Sequence, residues 1–247
     1  MGIKEKDTVF LHSSFSYFNG FKGEPRDIIN CLIDILGDEG NLLMPSMPYS
    51  SSSYDYLKKN PIFDVRKTPS RMGIISEIFR RKKGVLRSLH PTHPVLAYGK
   101  DAAELVKDHE KCKYPCGKKT PFDKFRNLNG RIFHFDVPFS RGFTFIHYLE
   151  DMIKDSLPFS LYTEDPISAR VLDYHGKEFE IETYVFSDKA VKTRNLDILG
   201  RYLLKQEKIK NLKIGKTRLL LVSAEDAISC TRNTRKMLEN NMYFFTL

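Results

Sequence analysis

The chain has 247 residues, 41% of them hydrophobic and 29% charged, enough apolar material for one large core in a single domain spanning 1–247. Forty Lys and Arg against 31 Asp and Glu give a net charge of +9, which favours anionic partners. Zinc-finger spacing, an RNP-like aromatic strand and a sustained basic helix are all missing, so nucleic acid is not the expected partner. No apolar run approaches the roughly 20 residues of a membrane span. With no N-terminal apolar h-region and four cysteines without even spacing, the chain reads as a soluble, reduced, cytoplasmic protein without a membrane partner.

In chain order, residues 7–11 read as a buried strand ending in His12, Ser13 and Ser14. Residues 20–25 form a turn. Apolar positions at Ile28, Ile29, Leu32, Ile33 and Leu36 then predict a helix over 25–36, stopped by Gly37 and followed by a strand over 41–44. A strand–helix–strand unit argues for an α/β layer architecture. Residues 47–67 are polar, aromatic and rich in Ser and Pro, and read as a long loop.

The most informative stretch is 68–99, TPSRMGIISEIFRRKKGVLRSLHPTHPVLAYG. Thr68, Pro69 and Ser70 supply a helix start. Met72, Ile75, Ile78 and Phe79 recur at helical spacing, and four cations from Arg80 to Lys83 suit the negative end of the helix dipole before Gly84. The proline-rich segment 85–94 follows as a rigid polar loop, and 95–98 as a short strand. Further on, 100–108 reads as a helix, 131–137 as a strand and 144–153 as a helix carrying His147 and Glu150. Residues 167–174 and 178–186 read as a β-hairpin, part of a subdomain over about 157–195. The remainder is a helix over 196–204, a strand over 217–222 and a closing helix over 224–240.

The run 68–99 strongly resembles the aminoglycoside 3-N-acetyltransferase family. VFLHSSF (9–15), NLLMPS (41–46), TPFDKF (120–125) and TFIHYLE (144–150) match in the same order, and the resemblance spans roughly residues 5–230. It implies an α/β fold in three α/β/α layers, with a mixed central sheet and a small antiparallel β subdomain. Against the family pattern the chain lacks a short helix before its first strand, which is expected to loosen one edge or alter oligomerisation. A homodimer is compatible with the family.

The implied activity is transfer of an acetyl group from acetyl-CoA to an amine of an amino sugar. Such a transfer needs a base for the amine proton, donors for the developing oxyanion, and a groove that aims the thioester at the amine. The resemblance puts the base at His147 and its carboxylate partner at Asp197, where relatives more often carry glutamate; Glu150, three residues after His147 and on the same helix face, is the other candidate. Ser13, Ser14, Thr68, Ser70 and Met72 are expected to line the acetyl-CoA cleft, with Arg87 on its phosphates or pantetheine and backbone N–H groups after the first strand on the oxyanion or phosphates. Asp55 and Asp64 are candidates to meet a cationic amine. His90 and His93 have either structural or cofactor-loop roles or contact substrate. Thr144, as N-cap of the His147 helix, is expected to face the thioester.

No metal is expected, because neither the HxxH of residues 90–93 nor the group His109, Cys112 and Cys116 offers a four-ligand site. None of the four cysteines sits in a nucleophile-like context, which argues for direct transfer without an acyl-enzyme. An aminoglycoside is a polycation, and the mean charge of +9 repels it. Charge therefore favours a nucleotide-linked amino sugar of surface-polysaccharide synthesis, with an aminoglycoside as the alternative. The competing class is a non-enzymatic binder of anions or nucleic acid, whose affinity would fall steeply with salt.

Overall fold

The computed structural model describes residues 1–15, 21–229 and 231. The strands are β1 (Thr8–Ser13), β2 (Asn41–Pro45), β3 (Ile62–Asp64), β4 (Leu86–Arg87), β5 (Val95–Gly99), β6 (Arg131–Phe135), β7 (Ile167–Leu172), β8 (Glu178–Thr183), β9 (Lys210–Ile214) and β10 (Thr217–Ser223). The helices in the first half are α1 (Pro25–Leu36), α2 (Ser53–Leu57), α3 (Ile74–Arg81), α4 (Ala102–Val106) and α5 (Pro121–Asn127). Those in the second half are α6 (Phe139–Gly142), α7 (Ile146–Met152), α8 (Asp188–Thr193), α9 (Leu196–Lys205) and α10 (Ala224–Ser229).

Seven strands form a mixed central sheet in the order β4-β5-β2-β1-β6-β10-β9. Its middle, β2-β1-β6, is parallel, and the flanking strands run antiparallel. Both faces are buried, which is why these strands read as continuous apolar runs. Val9 and Leu11 of β1 point to one side with Leu42, Met44 and Phe133, against Ile28, Ile29 and Leu32 of α1 and Ile75 and Phe79 of α3. Phe10 points to the other side with Leu43, Ile132 and Leu220, against α4, α5, α7, α9 and α10. Three layers result from the two-residue alternation of each strand.

A second sheet, β3-β7-β8, has its own core of Phe63, Val65, Ala169, Val171 and Ile181. The β7–β8 hairpin is antiparallel, as the sequence predicts, and β3 joins it in parallel. That third strand comes from the segment read as an irregular loop, which also forms α2. Strand β9 and helix α8 likewise lack a sequence signal. Strand β9 is exposed throughout and dominated by lysine and polar residues.

The helix predicted from residue 68 begins six residues later, at Ile74. Gly73 takes φ of +102°, open to glycine without steric cost, and α3 starts after it. Residues 68–72 stay out of the helix, where Ser70 N–H donates to Glu77 Oε2 at 2.8 Å and Met72 N–H to Ser70 Oγ at 3.2 Å. Within the predicted loop 85–94, Leu86 and Arg87 pair with β5. Of the closing helix over 224–240, Ala224–Ser229 is described; residues 230 and 232–240, like Gly20 of the predicted turn, lie outside the described residues. Among the described residues no helix is long and apolar enough to cross a membrane.

Candidate functional site

The parallel strands β1, β2 and β6 end on one edge of the sheet, the place where open α/β sheets leave a crevice for ligands. There a cleft of about 450 Å³ is lined by His12 and Ser13 from the end of β1, Met47, Tyr49 and Ser50 after β2, Thr144 and His147 at the start of α7, and Arg194 after α8. A groove of about 500 Å³ continues it past Ser13, Ser14, Met72, the N-terminus of α3 at Gly73–Ile75, and Arg141. Ser13, Met72, Val137 and Arg141 line both.

His147 lines the cleft, its side chain 14% exposed. Its Nδ1 lies 3.0 Å from Glu150 Oε2, one helical turn along α7. Glu150 is fully buried, and Arg194 binds both its oxygens, Nε to Oε1 at 2.5 Å and a terminal nitrogen to Oε2 at 2.9 Å. Burial would raise the Glu150 carboxyl, but Arg194 and His147 together outweigh it and hold it below the usual carboxylate range. The acceptor-only carboxylate makes Nδ1 the protonated nitrogen of a neutral ring. Burial, followed by repulsion from Arg194, lowers the His147 pKa despite the Glu150 bond. Among the described residues Nε2 makes no hydrogen bond, and the ring lines the cleft. The arrangement is a neutral imidazole with one lone pair free to take a proton.

Asp197 does not reach this ring. It is exposed in the first turn of α9, where Asn195 Oδ1 accepts its backbone N–H at 3.2 Å. An acid in that position complements the helix dipole. Glu150 occupies the place expected for Asp197 because i and i+3 residues of one helix are neighbours whatever the rest of the chain does.

Arg87 is not in the groove. Its guanidinium is buried over the ring of Phe63 and donates to Thr68 O and Ser46 O, both at 2.6 Å. It staples the two loops that frame the cleft, and burial pulls its pKa down to about 9. Thr68 and Ser70 hold the same loops: Thr68 Oγ1 accepts from Asp64 N–H at 2.9 Å, and the Ser70 hydroxyl closes the turn to Met72. Asp64 Oδ1 accepts from Arg66 and Lys67 N–H, and Asp55 pairs with the Ser52 cap of α2, so neither carboxylate faces the cleft. Of the backbone N–H groups after β1 expected to serve an oxyanion or phosphates, that of Ser14 donates to Phe135 O at 3.1 Å.

His90 and His93 are buried behind the cleft wall, 0% and 3% exposed. His90 Nδ1 accepts N–H groups of Thr92 and His93, leaving Nε2 to donate to Thr183 Oγ1 at 3.2 Å. His93 bonds Thr92 Oγ1 and, at 3.3 Å, the Tyr49 hydroxyl, and its ring stands edge-on to His147 at 5.3 Å. Both nitrogens of His90 are spent on protein, and its ring is not among the residues lining the cleft. His109 spends its own on Ser88 Oγ and Pro115 O. Thr144 does not cap α7, whose N-cap is Phe145; its hydroxyl lies 3.5 Å from His12 Nε2 at the cleft floor.

Sequence reasoning missed Arg194, Tyr49 and Arg141 as cleft residues, and passed over His12. His12 sits at the end of the first strand and was legible from its place beside Ser13. Arg194 carries no local signal, because its partner lies 44 positions away.

The family model for aminoglycoside 3-N-acetyltransferase matches residues 10–236. Aminoglycoside N(3)-acetyltransferase IX of Micromonospora chalcea is 28% identical over 163 residues, 61% of this chain and 57% of the relative. The first curated relatives are matched over only 51% to 57% of their own lengths. Among solved structures, AAC-IIIb in binary complex with CoASH superposes with a TM-score of 0.78 at 21% identity, over 97% of this chain and 92% of that one. Sisomicin-bound AAC-VIa gives 0.78 at 22% identity, over 97% and 94%. The fold is shared, and the chain belongs to the aminoglycoside 3-N-acetyltransferase family.

Proposed function

We propose that this chain is an acetyl-CoA-dependent N-acetyltransferase whose acceptor is an amine of an aminoglycoside. The observation that carries the reading is His147: Nδ1 committed to a buried, ionised Glu150, in a ring that lines the cleft and whose Nε2 is left unbonded among the described residues. Cofactor fit is supported by the adjoining groove. Its far end is lined by the first turn of α3, whose N–H groups have no intrahelical acceptor, and by the exposed Arg141, a setting suited to phosphates. Its near end, between Ser13, Met72 and Val137, leads a pantetheine-like arm to His147. When bound, acetyl-CoA supplies the thioester.

His147 Nε2 takes the proton of the attacking amine as the C–N bond forms, and Glu150 stabilises the resulting imidazolium. Ser13, Thr144 and His12 line the cleft beside it and are the side-chain donors available to the carbonyl oxygen. When the C–S bond breaks, the imidazolium returns its proton to the departing thiolate, so atoms and charge balance. The acceptor class rests on the relatives, which are named for aminoglycosides. The nucleotide-linked amino sugar rested on net charge, and none of these relatives supports it.

The test is release of free CoA thiol from acetyl-CoA against a panel holding sisomicin and a nucleotide-linked amino sugar, with thermal unfolding measured with and without CoA. Turnover with sisomicin and a rise in Tm with CoA are expected. Absence of both overturns the proposal; turnover confined to the nucleotide-linked sugar overturns its acceptor.

A further inference from the structure

We infer that Arg194 is a positioning residue: its guanidinium fixes both oxygens of Glu150, so that His147 stands neutral with Nδ1–H turned inward and Nε2 presented to the cleft. For its kinetic readout the inference rests on the acetyl-transfer reading; for its spectroscopic readout it does not.

Glu150 is 0% exposed and has two charged or chargeable neighbours, His147 and Arg194. Without Arg194, a carboxylate held by one imidazole N–H would be a nearly uncompensated buried anion, and burial favours whichever state neutralises it. The pair then binds a proton, on Glu150 or shared with His147, and the lone pair needed to take a proton from an amine is lost. Arg194 supplies the missing positive charge. The set His147, Glu150 and Arg194 is then neutral as a whole while the imidazole is unprotonated, the state a base must occupy.

Geometry fits positioning better than general packing. The two nearly parallel contacts at 2.5 and 2.9 Å fix the carboxylate plane as a single contact would not. The guanidinium also lies 4.7 Å over the Phe186 ring, and that ring lies 4.6 Å from His147, so cation, phenyl and imidazole form one packed stack. Other titratable groups facing the pair are held neutral or turned away. His93, His12, Tyr49 and Cys116 are shifted by burial towards their uncharged forms. Asp151, next to Glu150, spends its oxygens on Tyr162 and Lys154.

The experiment is an NMR titration of the His147 imidazole, assigned with His147→Gln, in wild type, Arg194→Lys and Arg194→Met. Each protein is first checked for cooperative unfolding. Removing the cation raises the proton affinity of the pair, so Arg194→Met is expected to move the His147 midpoint up by about one unit or more, a tenfold change. Lysine keeps the charge and should hold the midpoint near wild type. In acetyl transfer, Arg194→Met is expected to lose about 10- to 100-fold in kcat, the range for removing a group that orients a working histidine, with KM for acetyl-CoA within about twofold. The acid limb of its pH profile moves up with the midpoint. A folded Arg194→Met with an unmoved midpoint overturns the inference. If that variant does not fold, Arg194→Lys decides: one ammonium cannot grip both oxygens, so a several-fold lower kcat at unchanged KM supports the role, and wild-type kcat refutes it. A wild-type protein inactive on every amine defeats the proposed function and leaves the titration standing.

Discussion

Glu150 Oε2 lies 3.0 Å from His147 Nδ1, one turn along the same short helix, while Asp197 sits exposed at the start of another. The proposed base and its carboxylate partner therefore come from one helix of seven residues, α7. His147→Gln is expected to lower kcat by about 10²- to 10⁴-fold, the usual worth of a positioned general base, with CoA still raising Tm. Asp197→Asn should leave kcat/KM within about twofold. Steady-state kinetics on the two variants checks both, and a large loss in Asp197→Asn would return the dyad to α9.

The pH profile follows from the direction of the His147 shift. Burial and Arg194 together hold its pKa below 6.5, and the ring must be unprotonated to act as the proposed base. Activity should rise with pH through a midpoint below 6.5 and stay on this limb's plateau at neutral pH. An acid-limb midpoint above 7 in kcat/KM for acetyl-CoA, at saturating acceptor, would contradict the environment described for the ring.

His134 gives a stability prediction independent of activity. It is fully buried, stacked on Phe139 at 4.6 Å, and its Nε2 has no partner. Burial lowers its pKa to about 4, against about 6.5 unfolded. Below 6.5 the unfolded chain takes up this proton and the folded one does not, so stability drains away as pH falls from 6.5 to 4, by about 3 kcal/mol at most for this one residue. His134→Phe keeps the stack and deletes the ionisation. Urea denaturation should show a smaller loss between pH 7 and 5 in the variant than in wild type; equal losses would mean that His134 already titrates freely.

Arg87 separates a structural cation from a cofactor-binding one. Arg87→Met removes the donors to Thr68 O and Ser46 O and should lower Tm by several degrees, in the range expected for stranding buried carbonyls. Arg87→Lys, which keeps the charge but cannot span both carbonyls, should also be less stable while retaining the Tm increase with CoA. Loss of the CoA response in a folded Arg87→Lys protein would restore the phosphate-binding role.

Charge in the cleft has a kinetic signature. Its lining includes Arg141 and Arg194 and, among the described residues, no carboxylate side chain. A polycationic acceptor is repelled on approach, and salt screens that repulsion. KM for sisomicin should therefore fall as ionic strength rises from about 0.05 to 0.5 M. A KM that climbs with salt would reveal an acidic patch at the mouth.

Local rules account for what was legible in the letters. Continuous apolar runs and helical spacing gave β1, α1, β2 and the strand–helix–strand unit, because a strand buried on both faces is apolar throughout and the buried face of a helix repeats with the period of the backbone. His147 and Glu150 share a face through spacing alone. Elements without that repeat stayed hidden: β3 is three residues long and β9 is exposed along its whole length, so neither presents a buried face to the pattern.

The tertiary structure decided which charges matter. Arg87 and Arg194 are alike as letters, each basic and each near a motif. Packing puts one among backbone carbonyls behind the cleft and the other on the carboxylate that orients the imidazole. Neither outcome is set by neighbours in sequence. Each depends on a partner 19 to 44 positions away, brought within hydrogen-bond distance only when the layers close over the sheet.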